Sequence, residues 1–239
     1  MRLYRNKAML VFMTMILVFV SIVLIFNDSS KNNITGYDIV NTKVTVFPTV
    51  YKNCSFDLYP GWNLVSFYCL GMYNARSTVL QSIDGKYDSI FEYQSNDLSD
   101  PWKSYSISLP NWTVQQLNYM DRISGYWIYI YNTPDSNNVS NDSNVSAYNI
   151  TFSYAGVYSD SVISLYDGWN LVGYPNTKSV NISAGLNGLS YSIVKYYNTT
   201  TDTWVMYLNN SVNNTLDKFE TYKGYWVNVN GDQQWHIVR

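Results

Sequence analysis

The hydrophobic pattern changes character along the chain. From Ala8 to Phe26 there is no charged residue, and Leu, Ile, Val and Phe fill 13 of the 19 positions. A helix over that stretch rises about 28 Å, close to the hydrocarbon thickness of a bilayer. Beyond it the pattern breaks into short alternations. Phe56 and Leu58 share a face with Val65 and Phe67 across Pro60-Gly61-Trp62-Asn63, as Ile163 and Leu165 do with Val172 and Tyr174. Period two across a glycine predicts an antiparallel hairpin with Gly61 first in a two-residue loop. Further strands are predicted at Ser89 to Tyr93, Trp102 to Tyr105 and Tyr126 to Tyr131. Their counterparts are Ser192 to Tyr196, Trp204 to Tyr207 and Tyr225 to Val229. Lys43 to Phe47 and Asn149 to Tyr154 are expected to complete each sheet. Thr113 and Gln116 fit a capping box, which predicts a short helix with Leu117 and Met120 on one face. Leu216 and Phe219 match them, and Gly125 and Gly224 sit where such a helix stops.

These correspondences reflect a duplication. Leu58-Tyr59-Pro60-Gly61-Trp62-Asn63-Leu64-Val65 returns as Leu165-Tyr166-Asp167-Gly168-Trp169-Asn170-Leu171-Val172, and Gly125-Tyr126-Trp127-Ile128 returns as Gly224-Tyr225-Trp226-Val227. A repeat this long marks two copies of one folding unit rather than a solenoid. The expected fold is mainly β: an N-terminal transmembrane helix, then two duplicated sandwich or barrel-like modules, each with a short helix. The expected order is a signal anchor (1–26), a stalk (27–42), module one (43–131), a polar sequon-rich linker (132–148), and module two with a C-terminal tail (149–239).

The paired tags resemble a repeat of secreted and cell-surface proteins of archaea and some bacteria, surface-layer and adhesin-like chains among them. There a Gly-Trp-Asn-Leu-(Ile/Val) segment opens a β-rich module and Gly-Tyr-Trp-(Ile/Val) closes it. The resemblance spans about 43–131 and 149–230. Gly61, Trp62, Asn63, Gly125, Tyr126 and Trp127 carry it in one copy, and Gly168, Trp169, Asn170, Gly224, Tyr225 and Trp226 in the other. The family's usual next residue, Ser, is present as Ser66 but replaced by Gly173. The resemblance implies a surface or adhesive building block, with the tag residues in the core and no activity tied to them.

Arg2, Arg5 and Lys7 precede the apolar stretch, so the positive-inside rule places the C-terminal modules outside the cell and the protein in the cell membrane as a single-pass chain. Two rivals remain. A cleaved secretory signal has a shorter apolar core and a small-residue cut site. Lys7-Ala8-Met9-Leu10 resembles an archaeal pilin-type processing site cut after Ala8, which makes the helix an assembly handle for a filament. After the anchor, 12 basic residues face 17 acidic ones. That balance lacks the basic footprint nucleic-acid binding needs. Sequons at Asn27, Asn33, Asn53, Asn111, Asn138, Asn141, Asn144, Asn149, Asn181, Asn198, Asn209 and Asn213 exceed chance and mark candidate glycosylation sites.

Cys54 and Cys69 are the only cysteines. The predicted hairpin sets them opposite each other, within disulfide reach, with two free buried thiols as the rival. Candidate chemistry is otherwise thin. The single histidine, His236, leaves no base for a serine or cysteine nucleophile. Asp57, Asp84, Asp88, Glu92, Asp121 and Glu220 are the carboxylates weighed for glycosidase work, and only Asp121 and Glu220 correspond between copies. Asn96-Asp97 with Ser99-Asp100, and Asp84-Gly85 with Asp88, offer oxygen ligands without a calcium-loop spacing. No cofactor, metal or catalytic set is expected. Recurring Trp62, Trp102, Trp127, Trp169, Trp204 and Trp226 suggest packing, while the unrepeated Trp112 and Trp235 are candidate ligand aromatics. The expectation is a non-enzymatic membrane-anchored surface protein for envelope structure or adhesion, partnered by the membrane through residues 8–26 and by surface glycans or envelope proteins. The alternatives are a carbohydrate-binding protein using exposed Trp and Tyr, and the pilin-like subunit.

Overall fold

The computed structural model of the chain describes residues 50–110, 112–131 and 149–238. The predicted anchor, stalk, Lys43 to Phe47 strand and linker therefore lie outside the described residues. Among those described, no helix is long and apolar enough to cross a membrane.

The first copy runs β1 (Val50–Leu58), β2 (Gly61–Val65), β3 (Asn74–Ala75), the short helix α1 (Arg76–Val79) and a 3-10 turn (Leu80–Ile83). It continues with β4 (Tyr87–Tyr93), β5 (Trp102–Ser106), β6 (Tyr119–Met120) and β7 (Tyr126–Ile130). After the linker come β8 (Ile150–Tyr158), β9 (Ser161–Leu165), β10 (Gly168–Gly173), β11 (Val180–Asn181) and α2 (Ile182–Gly185). The chain ends with β12 (Tyr191–Asn198), β13 (Thr203–Leu208), β14 (Lys218–Phe219), β15 (Gly224–Val229) and β16 (Gln233–Ile237). The architecture is mainly β, in several sheets, none of them a closed barrel. Each copy contributes a four-stranded antiparallel sheet, ordered β2-β7-β4-β5 or β10-β15-β12-β13. A two-stranded ribbon accompanies each sheet: β1-β8 in the first case and β9-β16 in the second.

Alternation along the strands gives every sheet two faces. On one face Ile90, Tyr126, Ile128 and Ile130 form a core with Leu58 from β1 and Phe152 from β8. In the second copy Val194, Tyr225, Val227 and Val229 pack with Ile163 and Leu165 from β9 and Trp235 and Ile237 from β16. Both tag tyrosines are fully buried, and each hydroxyl accepts a backbone N–H: Tyr126 from Asp121 at 2.9 Å, Tyr225 from Glu220 at 2.7 Å.

Three local expectations fail, each for a physical reason. The Gly61 hairpin does not form, because β1 pairs with β8 while β2 pairs with β7. The chain turns a corner between two layers instead. The Asn63 side chain takes the place of a ladder partner: its Oδ1 accepts from Tyr59 N at 2.9 Å and its Nδ2 donates to Tyr59 O at 2.7 Å. Asn170 makes the same clamp on Tyr166. Gly61 and Gly168 stand at φ +93° and +90°, which explains the glycine of each tag. Secondly, Thr113 to Met120 is not helical. Gln116 and Leu117 both donate their N–H to Ser104 O, while the Gln115 side chain brackets the backbone of Ser106. This segment seals the edge of β5, a job that outweighs the capping signal. Thirdly, Ile150–Tyr158 joins the ribbon with β1 and not the second copy's four-stranded sheet.

The disulfide between Cys54 and Cys69 is present, with Cα atoms 5.9 Å apart. Cys69 lies beyond the end of β2, so the bridge ties the ribbon to the chain leaving the sheet. Its 15-residue separation corresponds to about 3 kcal/mol in the chain-entropy picture. The second copy has Ser161 and Asn176 there, and Asn176 Nδ2 instead donates to Val238 O at 2.9 Å.

The two copies belong to one compact unit, Pro48–Arg239. Their seam is built from the tags. A Cβ on Gly125 meets a Leu171 side-chain carbon and Val172 O at 2.9 Å, and one on Gly224 meets Val65 O at 2.8 Å. Ser66 N donates to Tyr222 O and Gly173 N donates to Ile123 O, both at 2.7 Å, as a pseudo-twofold requires. Ser66 and Gly173 are equivalent, and on this axis they meet each other. Ser66 Oγ donates to Lys223 O and accepts from Tyr174 N, and a Cβ on Gly173 lies 3.0 Å from Ser66 Cβ. The departure of Gly173 from the repeat pattern thus has a steric cause.

Candidate functional site

The face of each sheet opposite its core carries aromatic rings. Ladder pairing sets Trp62 opposite Tyr129, Trp127 opposite both Leu64 and Phe91, and Tyr93 opposite Trp102. In the second sheet Trp226 stands opposite Leu171 and Lys195, and Tyr197 opposite Trp204. The register corrects the matching of these strands by one residue. Phe91 faces Trp127 as Lys195 faces Trp226, so Lys195 corresponds to Phe91 and not to Glu92. With a period of two, that shift moves Lys195 from the core face to the aromatic face.

The aromatic faces of the two sheets meet. Trp127 reaches Tyr197 at 5.3 Å and Trp204 at 5.8 Å between centroids. Symmetrically, Trp226 reaches Tyr93 at 5.1 Å and Trp102 at 5.9 Å. Within each sheet, Trp62 meets Trp127 edge-on at 6.2 Å and 87°, and Trp169 meets Trp226 with the same values. Such edge contacts are the favoured geometry for aromatic quadrupoles.

Two open clefts result. One, of about 430 Å³, is lined by Trp62, Phe91, Trp102 and Trp127. The other, of about 470 Å³, is lined by the equivalent Trp169, Lys195, Trp204 and Trp226, together with Tyr93. They adjoin, since Trp102 of the first touches Trp226 of the second. The outer rings stay accessible: Trp62 and Trp169 are each 38% exposed, Trp102 42% and Trp204 44%. Among the described residues none of the cleft indoles spends its N–H on a protein acceptor, whereas Trp235 Nε1 donates to Gly185 O at 2.7 Å. The clefts therefore offer flat apolar faces with free donors at their edges.

The unrepeated aromatics behave differently from expectation. Trp235 is 2% exposed and packs on Tyr174 and Phe219, which removes it as a ligand aromatic. Trp112 is 84% exposed on a loop apart from both clefts. The recurring Trp62, Trp102, Trp169 and Trp204, read as packing residues, are the accessible ones. The available signal was alternation in the closing strands: Trp127 and Trp226 each stand between buried residues, and the accessible tryptophans lie on the same face as these two.

The carboxylates do not assemble an accessible site. Glu92 and Asp121 are brought together on the core side of the first sheet by Ser124, whose Oγ donates to Glu92 at 2.7 Å and whose N donates to Asp121 at 2.8 Å. Burial pushes Glu92 up to about 7, against the hydrogen bond from Ser124 and with help from the charge of Asp121. Asp121 is also raised, chiefly by burial. The second copy has Tyr196 in place of Glu92, with Glu220 paired to Lys223. Asp57 and Asp84 are exposed, and Asp88 accepts from Ser89 and Tyr131. Of the two loops considered for calcium, the one at Asp97 and Asp100 already holds a cation: Lys103 Nζ lies 2.8 Å from Asp97 and 3.3 Å from Asp100 and holds Asp97 well below the usual carboxylate range. No cluster of three metal-ligating acids, histidines or cysteines occurs among the described residues. His236 lies exposed on β16.

Among the sequon asparagines, Asn53, Asn149, Asn181, Asn209 and Asn213 are exposed and Asn198 is half-buried, with its Oδ1 accepting from Thr200. Asn27, Asn33, Asn111, Asn138, Asn141 and Asn144 lie outside the described residues. No protein-family model, curated protein or solved structure matches the chain.

Proposed function

We propose that this is a non-enzymatic surface protein, anchored by residues 8–26 and displayed outside the cell, whose tandem sandwich-type β modules bind glycans in the paired tryptophan clefts. The observation that carries this reading is the pair of equivalent open clefts walled by accessible indoles with uncommitted N–H donors. A pyranose ring has apolar C–H faces and a polar rim of hydroxyls. Flat aromatic walls accept the faces, and indole N–H groups reach the hydroxyl oxygens. Two adjoining clefts suit a chain of sugars, and engaging both raises avidity without new contacts. Adhesion to a glycan-bearing surface, or cross-linking within the envelope, follows from such a site outside a membrane.

The test uses the full chain in detergent on a glycan array, followed by titration of the best ligand by tryptophan fluorescence. Saturable binding is expected, weakened at least about tenfold in a Trp62→Ala/Trp169→Ala variant that still melts cooperatively. No response to any glycan, or binding indifferent to both substitutions, overturns the reading. Membrane fractionation with protease shaving of intact cells checks the placement. Recovery of the chain in the detergent-free soluble fraction counts against it.

A further inference from the structure

Tyr93 lines the second cleft alone, and among the equivalent wall positions the two clefts differ at one, Phe91 against Lys195, each opposite the central tryptophan of its sheet. The first cleft is lined only by uncharged rings. In the second, Lys195 Nζ rests 5.2 Å from the Trp169 ring centroid, a cation–π contact that keeps the ammonium inside the cleft. Among the described residues the Lys195 ammonium makes neither an ion pair nor a hydrogen bond, whereas those of Lys103 and Lys223 are each matched by acids. A cation held in an aromatic recess and left without an anion is complementary to one arriving with a ligand. The low-polarity walls strengthen that attraction relative to bulk water.

Resting on the glycan-binding reading above, we infer that the clefts divide their ligands by charge. The first takes a neutral sugar ring. The second takes a sugar ring bearing a carboxylate or sulfate, its acid group held by Lys195 and its apolar face against Trp169 and Trp226. Four rings and one cation together select a ring-shaped anion, rather than an extended acidic peptide that needs spaced cations and backbone contacts.

The experiment titrates the full chain in detergent with a uronic-acid hexasaccharide, its sulfated neutral-sugar counterpart, the plain neutral hexasaccharide and an acidic hexapeptide. Lys195→Phe is expected to weaken the uronate about tenfold or more. It should spare the neutral ligand and flatten the fall of uronate affinity with rising salt. Phe91→Lys, the reciprocal change, is expected to add an anionic site. The uronate and sulfated arms tell which acid group is preferred. Unchanged uronate affinity in Lys195→Phe, or an acidic peptide bound as tightly as the uronate, overturns the division by charge. If Lys195→Phe changes nothing while Trp169→Ala removes binding, the charge inference falls and the glycan reading stands. If Trp62→Ala and Trp169→Ala leave every ligand bound as before, the glycan reading falls.

Discussion

Trp235 and Trp62 teach opposite lessons about what recurs in a duplicated chain. Trp235 occurs in one copy and is buried, while Trp62 recurs as Trp169 and both are partly exposed. Pairing in the ribbons shows why. In the first copy Phe56 stands opposite Phe152; at the same place in the second, Ile163 stands opposite Trp235. The cores exchange volume between partners, a smaller residue offsetting a larger one, as close packing permits. The cleft walls keep tryptophan at both Trp62 and Trp169 and at both Trp102 and Trp204, although much of each ring touches solvent. Packing does not demand that repetition, which is why the clefts and not the cores attract a functional reading.

The widest test of this contrast is truncation. Trp235→Ala is expected to cost about 4 kcal/mol in denaturant unfolding, since it deletes a buried ring and leaves Gly185 O without its donor. Trp62→Ala is expected to cost about 1 kcal/mol or less. Equal losses break the distinction between core and cleft.

A second test sharpens the comparison on the core face, where Glu92 stands in one copy and Tyr196 in the other. Burial raises Glu92 from the ordinary 4.5 to about 7, so between those values the folded chain holds a proton that the unfolded chain releases. Stability is therefore highest below that window, falls as pH rises through it, and levels off above it. Glu92→Gln removes that fall while keeping an acceptor for Ser124. The variant should match wild type in acid and exceed it by about 3 kcal/mol above neutrality in pH-resolved urea titrations. A difference that does not change with pH refutes the assignment.

A third test concerns the axis. Gly173→Ser drives a side chain toward Arg122 O and Ser124 O, each 2.7 Å from its Cβ, and is expected to cost about 2 kcal/mol. Adding Ser66→Gly to that chain should recover about 1 kcal/mol, because the two positions share one space. Strict additivity in the double-mutant cycle shows that they do not.

Much of the β framework was legible. The strands around Ile90, Trp102 and Ile128 follow from alternation, and the disulfide from an even cysteine count in a chain read as exported. Three things were not. Local periodicity cannot say which strand pairs with which, so β1 and β2 read as a hairpin although a side chain, Asn63, supplies the missing partner. A one-residue offset between β4 and β12 is invisible in short aromatic-rich segments, and it hid Lys195 among core-facing positions. Whether the outward face of a strand meets water or the other copy is a tertiary fact, so the tag glycines read as helix stops although Gly125 and Gly224 are seats for the opposite copy. The first cleft is walled by its own copy, while the second also takes Tyr93 from the other, a contact no strand pattern within one copy announces.

The serine-and-glycine contact on the axis makes the halves unequal partners. Two first copies from neighbouring chains would bring two hydroxymethyl groups to one point, and two second copies would leave that point hollow. Only the mixed arrangement fills it. Neighbouring molecules are thereby discouraged from pairing like half with like, and every first copy is matched to a second.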